Sequence, residues 1–131
     1  MNTKRNSVGW FEIYVEDMDR AKKFYESMLD QKLEKLPSPE GMPGEMWTFG
    51  SSECEGDLPG ATGALMKMDG FGPGSGGTIV YFNCNDCAEE EARAAQSGGT
   101  VVQSKFSIGE YGNIVLLQDT EGNMIGLHSI T

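Results

Sequence analysis

The order of strand, cap and helix signals repeats along this chain, and this repeat constrains the fold more than any other feature. Residues 9–15 are rich in aromatic and β-branched side chains, and Asp17 follows as a helix N-cap before apolar residues at helical spacing. Residues 78–83 and Asp86 repeat this order in the second half. Superposing Asp17 on Asp86 aligns strand, cap and helix in both halves, which indicates an internal duplication.

Each half continues with three further strand candidates, so the repeated unit is β-α-β-β-β. These candidates are residues 32–36, 45–49 and 63–68 in the first half, and residues 100–106, 113–118 and 123–129, after a helix at 87–97, in the second. One such unit would leave a sheet edge and a sheet face uncovered. The sequence therefore predicts an α+β fold in which two βαβββ modules form a cupped, incomplete mixed β-barrel with the helices outside.

The domain organisation follows from the same repeat. We expect a single domain over residues 1–131, with module one at about 8–69 and module two at about 78–130. A glycine-rich connector at 70–77 joins them, and its composition predicts flexibility. Asp119 to Gly122 predict the turn of a hairpin between the last two strands, with Gly122 suited to a positive φ.

Composition and charge exclude some classes of partner. The net charge of −10 disfavours nucleic acids and anionic membranes, both of which need a basic surface. No apolar run approaches the roughly 20 residues that cross a bilayer, and no signal peptide is evident at the N-terminus. The three cysteines leave one unpaired in any disulfide scheme, which favours reduced thiols. A cytoplasmic protein is expected.

Two stretches resemble a known family. They are WFEIYVEDMDRAKKFYESML near the start and LLQDTEGNMIGLHS at the end, where Thr120 replaces the usual proline of a D-P-E-G-N hairpin. The chain is similar to the vicinal oxygen chelate superfamily, which includes glyoxalase I, bleomycin-resistance proteins, fosfomycin-resistance proteins and extradiol dioxygenases. The resemblance covers nearly the whole chain and implies the cupped fold and a homodimer.

Enzymes of this family hold a divalent metal in the cup, and the resemblance identifies the equivalent positions here. They are Trp10, Ala64, Ile79 and Gly126, none of which has a side-chain donor. We therefore expect no metal and no other cofactor, and we expect Gly126 to open the cup where relatives carry a glutamate. A relocated metal site at Glu12 and His128, with Asn83 as a weak third ligand, is the alternative.

Glu12 and His128 are the chemically reactive candidates. Residues two apart on a strand share a face, so Glu12 faces the cup with Trp10, and His128 faces it with Gly126. The two side chains are candidate catalytic groups, as an acid/base pair, or they bind a polar or cationic ligand. Alternatively, His128 packs and donates a hydrogen bond to a backbone carbonyl.

The predicted ligand site is an aromatic-walled cup with few polar groups, typical of small-molecule sites. It includes Trp47 or its neighbours Met46 and Thr48, because the register of that strand is uncertain by one residue. The predicted ligand-binding residues are Trp10, Glu12, Tyr14, Trp47, Tyr81, Asn83, Gly126 and His128, with Ile79 also lining the cup.

The cysteine pattern gives weaker alternatives. Cys84 and Cys87 form a C-x-x-C at a strand-to-helix junction, which in other proteins supports redox chemistry. Here Cys84 aligns with Val15 of the first half, which favours a small apolar strand residue. A structural zinc held by both of these cysteines with Cys54 and His128 is disfavoured because only one C-x-x-C is present.

Three functional classes remain open. The first is a small-molecule-binding protein related to the bleomycin-resistance proteins, without the family's metal. The second is a glyoxalase-like lyase or isomerase that uses Glu12 and His128, with or without a divalent metal. The third is a structural or regulatory interaction module. The sequence favours the first.

Overall fold

The computed structural model describes residues 7–37, 44–49 and 60–131. Cys54 and the other residues of 50–59, between two of the predicted strands, lie outside the described residues. The strands are β1 (Val8–Tyr14), β2 (Glu34–Leu36), β3 (Glu45–Thr48), β4 (Thr62–Lys67), β5 (Thr78–Asn83), β6 (Thr100–Ser107), β7 (Asn113–Gln118) and β8 (Met124–Ser129). The helices are α1 (Met18–Leu29) and α2 (Cys87–Gln96), with a short 3-10 helix at Gly109–Tyr111.

The chain divides into two compact units. The first unit comprises Trp10–Thr78 and so includes the predicted connector at 70–77; the second comprises Ile79–Thr131 with the described residues up to Gly9. These units are called module one and module two from here on. The predicted β-α-β-β-β order is present in both halves of the chain. No helix in the described part of the chain is long and apolar enough to cross a membrane.

Module one has strands in the order β2-β3-β4-β1, with β1 and β4 parallel and the other pairs antiparallel. Its α1 covers one face of the sheet through a core of Met18, Leu33 and Leu65. The predicted strand at 32–36 begins only at Glu34, because Leu33 is buried against the helix and its N–H donates to the Glu26 carboxylate at 2.9 Å.

The predicted N-caps of both helices are confirmed. The carboxylate of Asp17 accepts a hydrogen bond from the Arg20 N–H at 3.0 Å. The carboxylate of Asp86 accepts one from the Ala88 N–H, also at 3.0 Å. Each cap satisfies a backbone donor that has no partner within its own helix, so both helices begin where the sequence repeat places them.

Module two has strands in the order β5-β8-β7-β6, with β5 and β8 parallel. Strands β7 and β8 form the predicted hairpin, in which Gly122 has a φ of 85° and the Asp119 carboxylate accepts the N–H groups of Glu121 and Asn123. Strand β8 therefore has a fixed register between β5 and β7. The buried core on the α2 side comprises Cys84, Cys87, Val115, Leu117 and Leu127.

Candidate functional site

Strand β1 places a carboxylate between two aromatic donors. Trp10, Glu12 and Tyr14 alternate along the strand, so their side chains share a face. The indole Nε1 of Trp10 donates to Oε2 of Glu12 at 3.2 Å, and the hydroxyl of Tyr14 donates to Oε1 at 2.8 Å. The half-buried carboxylate is thereby oriented by rings on both sides. The structure thus brings together three of the predicted site residues.

Small and apolar residues lie beside this carboxylate on the next strand. Ala64 is the β4 partner of Glu12 and is fully buried, and Met66 is the partner of Tyr14. On β3, Thr48 is the partner of Ala64 and donates its hydroxyl to the Gly63 carbonyl at 3.2 Å. Thr48 therefore lies on the same face as Glu12, with its hydroxyl bonded within the sheet.

Phe71 in the connector covers Tyr14, a contact that the sequence interpretation missed. Its ring stacks on the Tyr14 ring with centroids 5.0 Å apart and an interplanar angle of 25°. The backbone N–H of Tyr14 also donates to the Gly77 carbonyl at 2.7 Å. The connector is thus attached to Tyr14 at two points. The only sequence signal was a lone aromatic residue among glycines, which does not specify its contact.

The Tyr14 hydroxyl is held in its protonated form. Burial raises its pKa well above the ordinary value, and the charge of Glu12 and the hydrogen bond to it raise the pKa further. The phenol therefore remains a hydrogen-bond donor to Glu12 at neutral pH.

Trp47 lies on the other face of the module-one sheet. It is the cross-strand partner of Leu65 in β4 and packs against the core cluster between the sheet and α1. The Lys22 ammonium lies 3.2 Å from the centre of its ring, and its Nε1 donates to Glu45 at 2.9 Å. Met46 and Thr48, the neighbours left open by the sequence, are on the Glu12 face instead. Trp47 is therefore not grouped with Glu12 in a binding site.

Tyr81 and Gly126 of module two are cross-strand partners in direct contact. A Cβ on Gly126 would lie 2.3 Å from two carbons of the Tyr81 ring, which is itself buried. The expectation that Gly126 opens the cup is therefore wrong. The glycine is needed because the Tyr81 ring occupies the space above it, and with the ring in this place a glutamate side chain is excluded.

His128 has a backbone partner. Its Nε2 lies 2.6 Å from the Tyr111 carbonyl oxygen, and because a carbonyl only accepts, Nε2 carries the proton and donates. Of the roles left open by the sequence, this contact matches packing with donation to a backbone carbonyl. In the neutral ring the second nitrogen, Nδ1, is then the acceptor.

Asn83 lies next to His128 in the sheet register and contacts the start of β1. Its side-chain oxygen lies 2.3 Å from where a Cβ of Gly9 would be, so Gly9 makes room for the amide. The Asn83 backbone N–H donates to the Ser7 carbonyl at 2.8 Å. Asn83 thus packs against the beginning of β1.

The described residues do not fit the family's metal. The four positions identified by the resemblance carry no donor, and the space above Gly126 is filled by Tyr81. Among the residues that the structure describes, no group of three or more His, Cys, Asp or Glu side chains is placed to hold a metal ion. We therefore derive no chemical step through a metal.

The C-x-x-C is part of the module-two core. Cys84 and Cys87 are free and buried, and the Cys87 N–H donates to the Ser129 hydroxyl at 3.0 Å. Burial, followed by the charge of Glu90, raises the pKa of the Cys84 thiol to about 12. A thiol that stays protonated is a poor nucleophile, so this environment disfavours redox chemistry.

Comparisons with solved structures support the fold. Methylmalonyl-CoA epimerase from Mycobacterium tuberculosis is 17% identical, with a TM-score of 0.66 over 95% of this chain and 88% of that one. A variant of the Streptomyces coelicolor epimerase in complex with 2-nitronate-propionyl-CoA is 18% identical, with a TM-score of 0.64 over 94% and 96%. A hypothetical protein from Bacillus halodurans is 11% identical, with a TM-score of 0.67 over 96% and 95%.

At these identities the structural similarity shows the fold alone, and the predicted fold class is confirmed. No curated protein matches the chain. The family model of the Glyoxalase/Bleomycin resistance protein/Dioxygenase superfamily matches residues 7–127, nearly the whole chain, and agrees with the resemblance found in the sequence. The chain belongs to this superfamily.

Proposed function

We propose that the protein binds a small molecule at the Glu12 face of module one, without the divalent metal of its family. The observation that carries this proposal is the half-buried Glu12 carboxylate oriented by the ring donors of Trp10 and Tyr14. A fixed acceptor among aromatic rings is typical of a site that recognises a small ligand by one polar contact and by apolar surface.

The relatives support binding of a small molecule, but they do not identify it. One solved neighbour is a methylmalonyl-CoA epimerase in complex with methylmalonyl-CoA, and the matched superfamily includes the bleomycin-resistance proteins. The residues proposed here for binding are Trp10, Glu12 and Tyr14. Tyr81, Asn83 and His128 stay predicted ligand-binding residues, whereas Gly126 is left out because the Tyr81 ring fills the space above it. The homodimer and the cytoplasmic location also stay predictions.

The test is a thermal-shift screen against small metabolites. A ligand at about ten times its Kd should stabilise the folded state by about 1.4 kcal/mol. Glu12→Gln should remove most of the increase in melting temperature, because a neutral amide is a weaker acceptor than a carboxylate. Glu16→Gln, at an exposed residue of the same segment, is the matched control and should keep the increase. An increase that survives in Glu12→Gln would contradict the proposed site.

A second candidate is a lyase or isomerase that moves a proton through Glu12. It is favoured by the Tyr14 hydroxyl, 2.8 Å from the carboxylate, which is a donor next to a potential base. In D2O, wild-type protein should then incorporate deuterium at the acidic carbon of a thioester such as methylmalonyl-CoA, and Glu12→Gln should not. Incorporation equal to that of buffer alone would count against this activity.

A further inference from the structure

We propose that Phe71 determines the ligand class, so that the Glu12 site takes a flat ring that bears an O–H or N–H donor. This inference rests on the proposed binding function and adds the chemistry of the ligand. Its basis is the contact chain from Phe71 to Tyr14 to Glu12, all within module one.

The ring of Phe71 is only partly covered. One face stacks on Tyr14, yet the residue is 37% exposed, so an aromatic surface remains open to solvent next to a buried phenol. Two aromatic rings in offset or edge-to-face contact gain free energy beyond that of the area they bury. A flat ligand therefore gains more from this surface than a saturated one.

The Glu12 carboxylate selects for a ligand with a hydrogen-bond donor. An ionised carboxylate only accepts hydrogen bonds, so a ligand group that faces Glu12 has to be a donor. Hydrogen bonds to a charged acceptor are stronger than those between neutral groups. Tyr14 contacts both Phe71 and Glu12. The exposed part of the Phe71 ring and the Glu12 carboxylate are therefore neighbours of one residue and act on the same ligand.

The chain around Phe71 carries little that could cover its ring. Phe71 lies between Gly70 and Gly72, and a Cβ built on either glycine would meet no atom within 4 Å. The backbone N–H of Phe71 donates to the Met68 carbonyl at 3.2 Å, which anchors the residue in the connector. Phe71 is thus anchored through its backbone, and neither of its chain neighbours carries a side chain that could cover its partly exposed ring.

The experiment uses three matched probes: phenol is flat with a donor, anisole is flat without one, and cyclohexanol has a donor but no flat ring. Binding is followed by NMR through the Trp10 indole N–H, assigned with a Trp10→Phe variant. We expect phenol to bind about tenfold more tightly than either of the others. Phe71→Leu should abolish the preference over cyclohexanol, and Glu12→Gln should abolish the preference over anisole.

Two controls separate specificity from general damage. Phe24→Leu makes the same change at an exposed phenylalanine of α1 and should leave all three affinities unchanged. Phe71→Tyr keeps a flat ring and should keep the preference for phenol. Equal affinities for the probes, or an unchanged preference in Phe71→Leu, would overturn this inference while leaving the proposed binding function in place. If none of the probes moves the Trp10 resonance while a metabolite that raises the melting temperature does move it, this inference fails and the proposed binding function stands.

Discussion

Module one and module two share an element order and the pairing of their parallel strands, and one equivalent pair of positions shows how their side chains differ. Glu12 of β1 is paired with Ala64, whereas the equivalent Tyr81 of β5 is paired with Gly126. In module one a small alanine lies beside a carboxylate that two rings hold in place. In module two the aromatic ring itself fills the space above the glycine.

This difference shows how a duplicated fold separates two roles. The backbone pairing has been kept in both halves, so the same positions face the same side of each sheet. At this pair of positions, the choice of side chain gives module one a carboxylate and module two a packed ring. We therefore expect changes in module two to affect mainly stability, and changes around Glu12 to affect mainly binding.

The largest effect is expected from Gly126→Ala. The new methyl group would lie 2.3 Å from the buried Tyr81 ring, so the ring or the strand has to move. Overpacking of this kind costs about 1–3 kcal/mol of unfolding free energy. The measurement is urea denaturation of wild type and Gly126→Ala, followed by circular dichroism.

The matched control for this change is Gly72→Ala. A Cβ at Gly72 meets no atom within 4 Å, and its φ is not in the left-handed region, so the cost there should be near zero. A loss of stability in Gly72→Ala as large as in Gly126→Ala would show that the Tyr81 contact is not the cause.

A smaller effect is expected from the hydrogen bond that defines the site. Tyr14→Phe keeps the ring stacked on Phe71 and removes only the donor to Glu12. The loss should be about 1 kcal/mol, because a side-chain hydrogen bond contributes about that much. A double-mutant cycle with Glu12→Gln, again by urea denaturation, measures the coupling between the two groups. Strictly additive losses would contradict the contact.

The caps of the two helices differ in their partners. Asp17 lies 3.9 Å from Arg20 on its own helix, whereas Asp86 lies 2.9 Å from Lys105 of β6. The hydrogen bond from Lys105, followed by that from the Ala88 N–H, lowers the pKa of Asp86 below its usual value. Module two therefore uses its cap residue to link the helix to an edge strand.

This contrast predicts a dependence on pH. A carboxyl whose folded pKa is lowered contributes stability above its unfolded pKa, about 3.9, and this contribution is lost as the pH falls through the folded value. Asp86→Asn should therefore lower the melting temperature at pH 6, and the difference from wild type should shrink below about pH 4. Asp17→Asn is the control. If both variants lower the melting temperature equally at pH 6, the ion pair of Asp86 with Lys105 adds nothing to the stability of the cap.

The sequence predicted the fold well because its signals are local. Apolar periodicity placed the helices and strands, and the side-chain oxygens of Asp17 and Asp86 fixed the helix starts, as found. The hairpin at Gly122 required only a residue that tolerates positive φ. Each of these features depends on a few neighbouring residues.

The site was less predictable because it depends on register and on loop contacts. A shift of one residue decides whether Trp47 faces Glu12 or α1, and the sequence left that shift open. A glycine is needed at position 126 because Tyr81 of β5 lies opposite, and that pairing is not evident from the sequence. Phe71 reaches Tyr14 through a connector whose conformation has no periodic signal.

The smallest effect is expected where the modules are most alike. Cys84 and Val15 occupy equivalent places after their strands, and each packs against the core of its own module. Cys84→Val should therefore change the unfolding free energy by less than about 1 kcal/mol, because it exchanges two apolar residues of similar size. Cys84→Ser is the matched comparison, since burying a hydroxyl in the same place costs about 1–3 kcal/mol.

The same two variants also decide whether the C-x-x-C has chemistry of its own. If Cys84 is only a packing residue, ligand binding and melting temperature in Cys84→Val will be the same in reducing and in oxidising buffer. Wild type should behave in the same way, because its buried thiol, with a pKa raised to about 12, forms little thiolate at neutral pH. A melting temperature of wild type that depends on the redox state, and is lost in Cys84→Val, would give module two a role beyond packing.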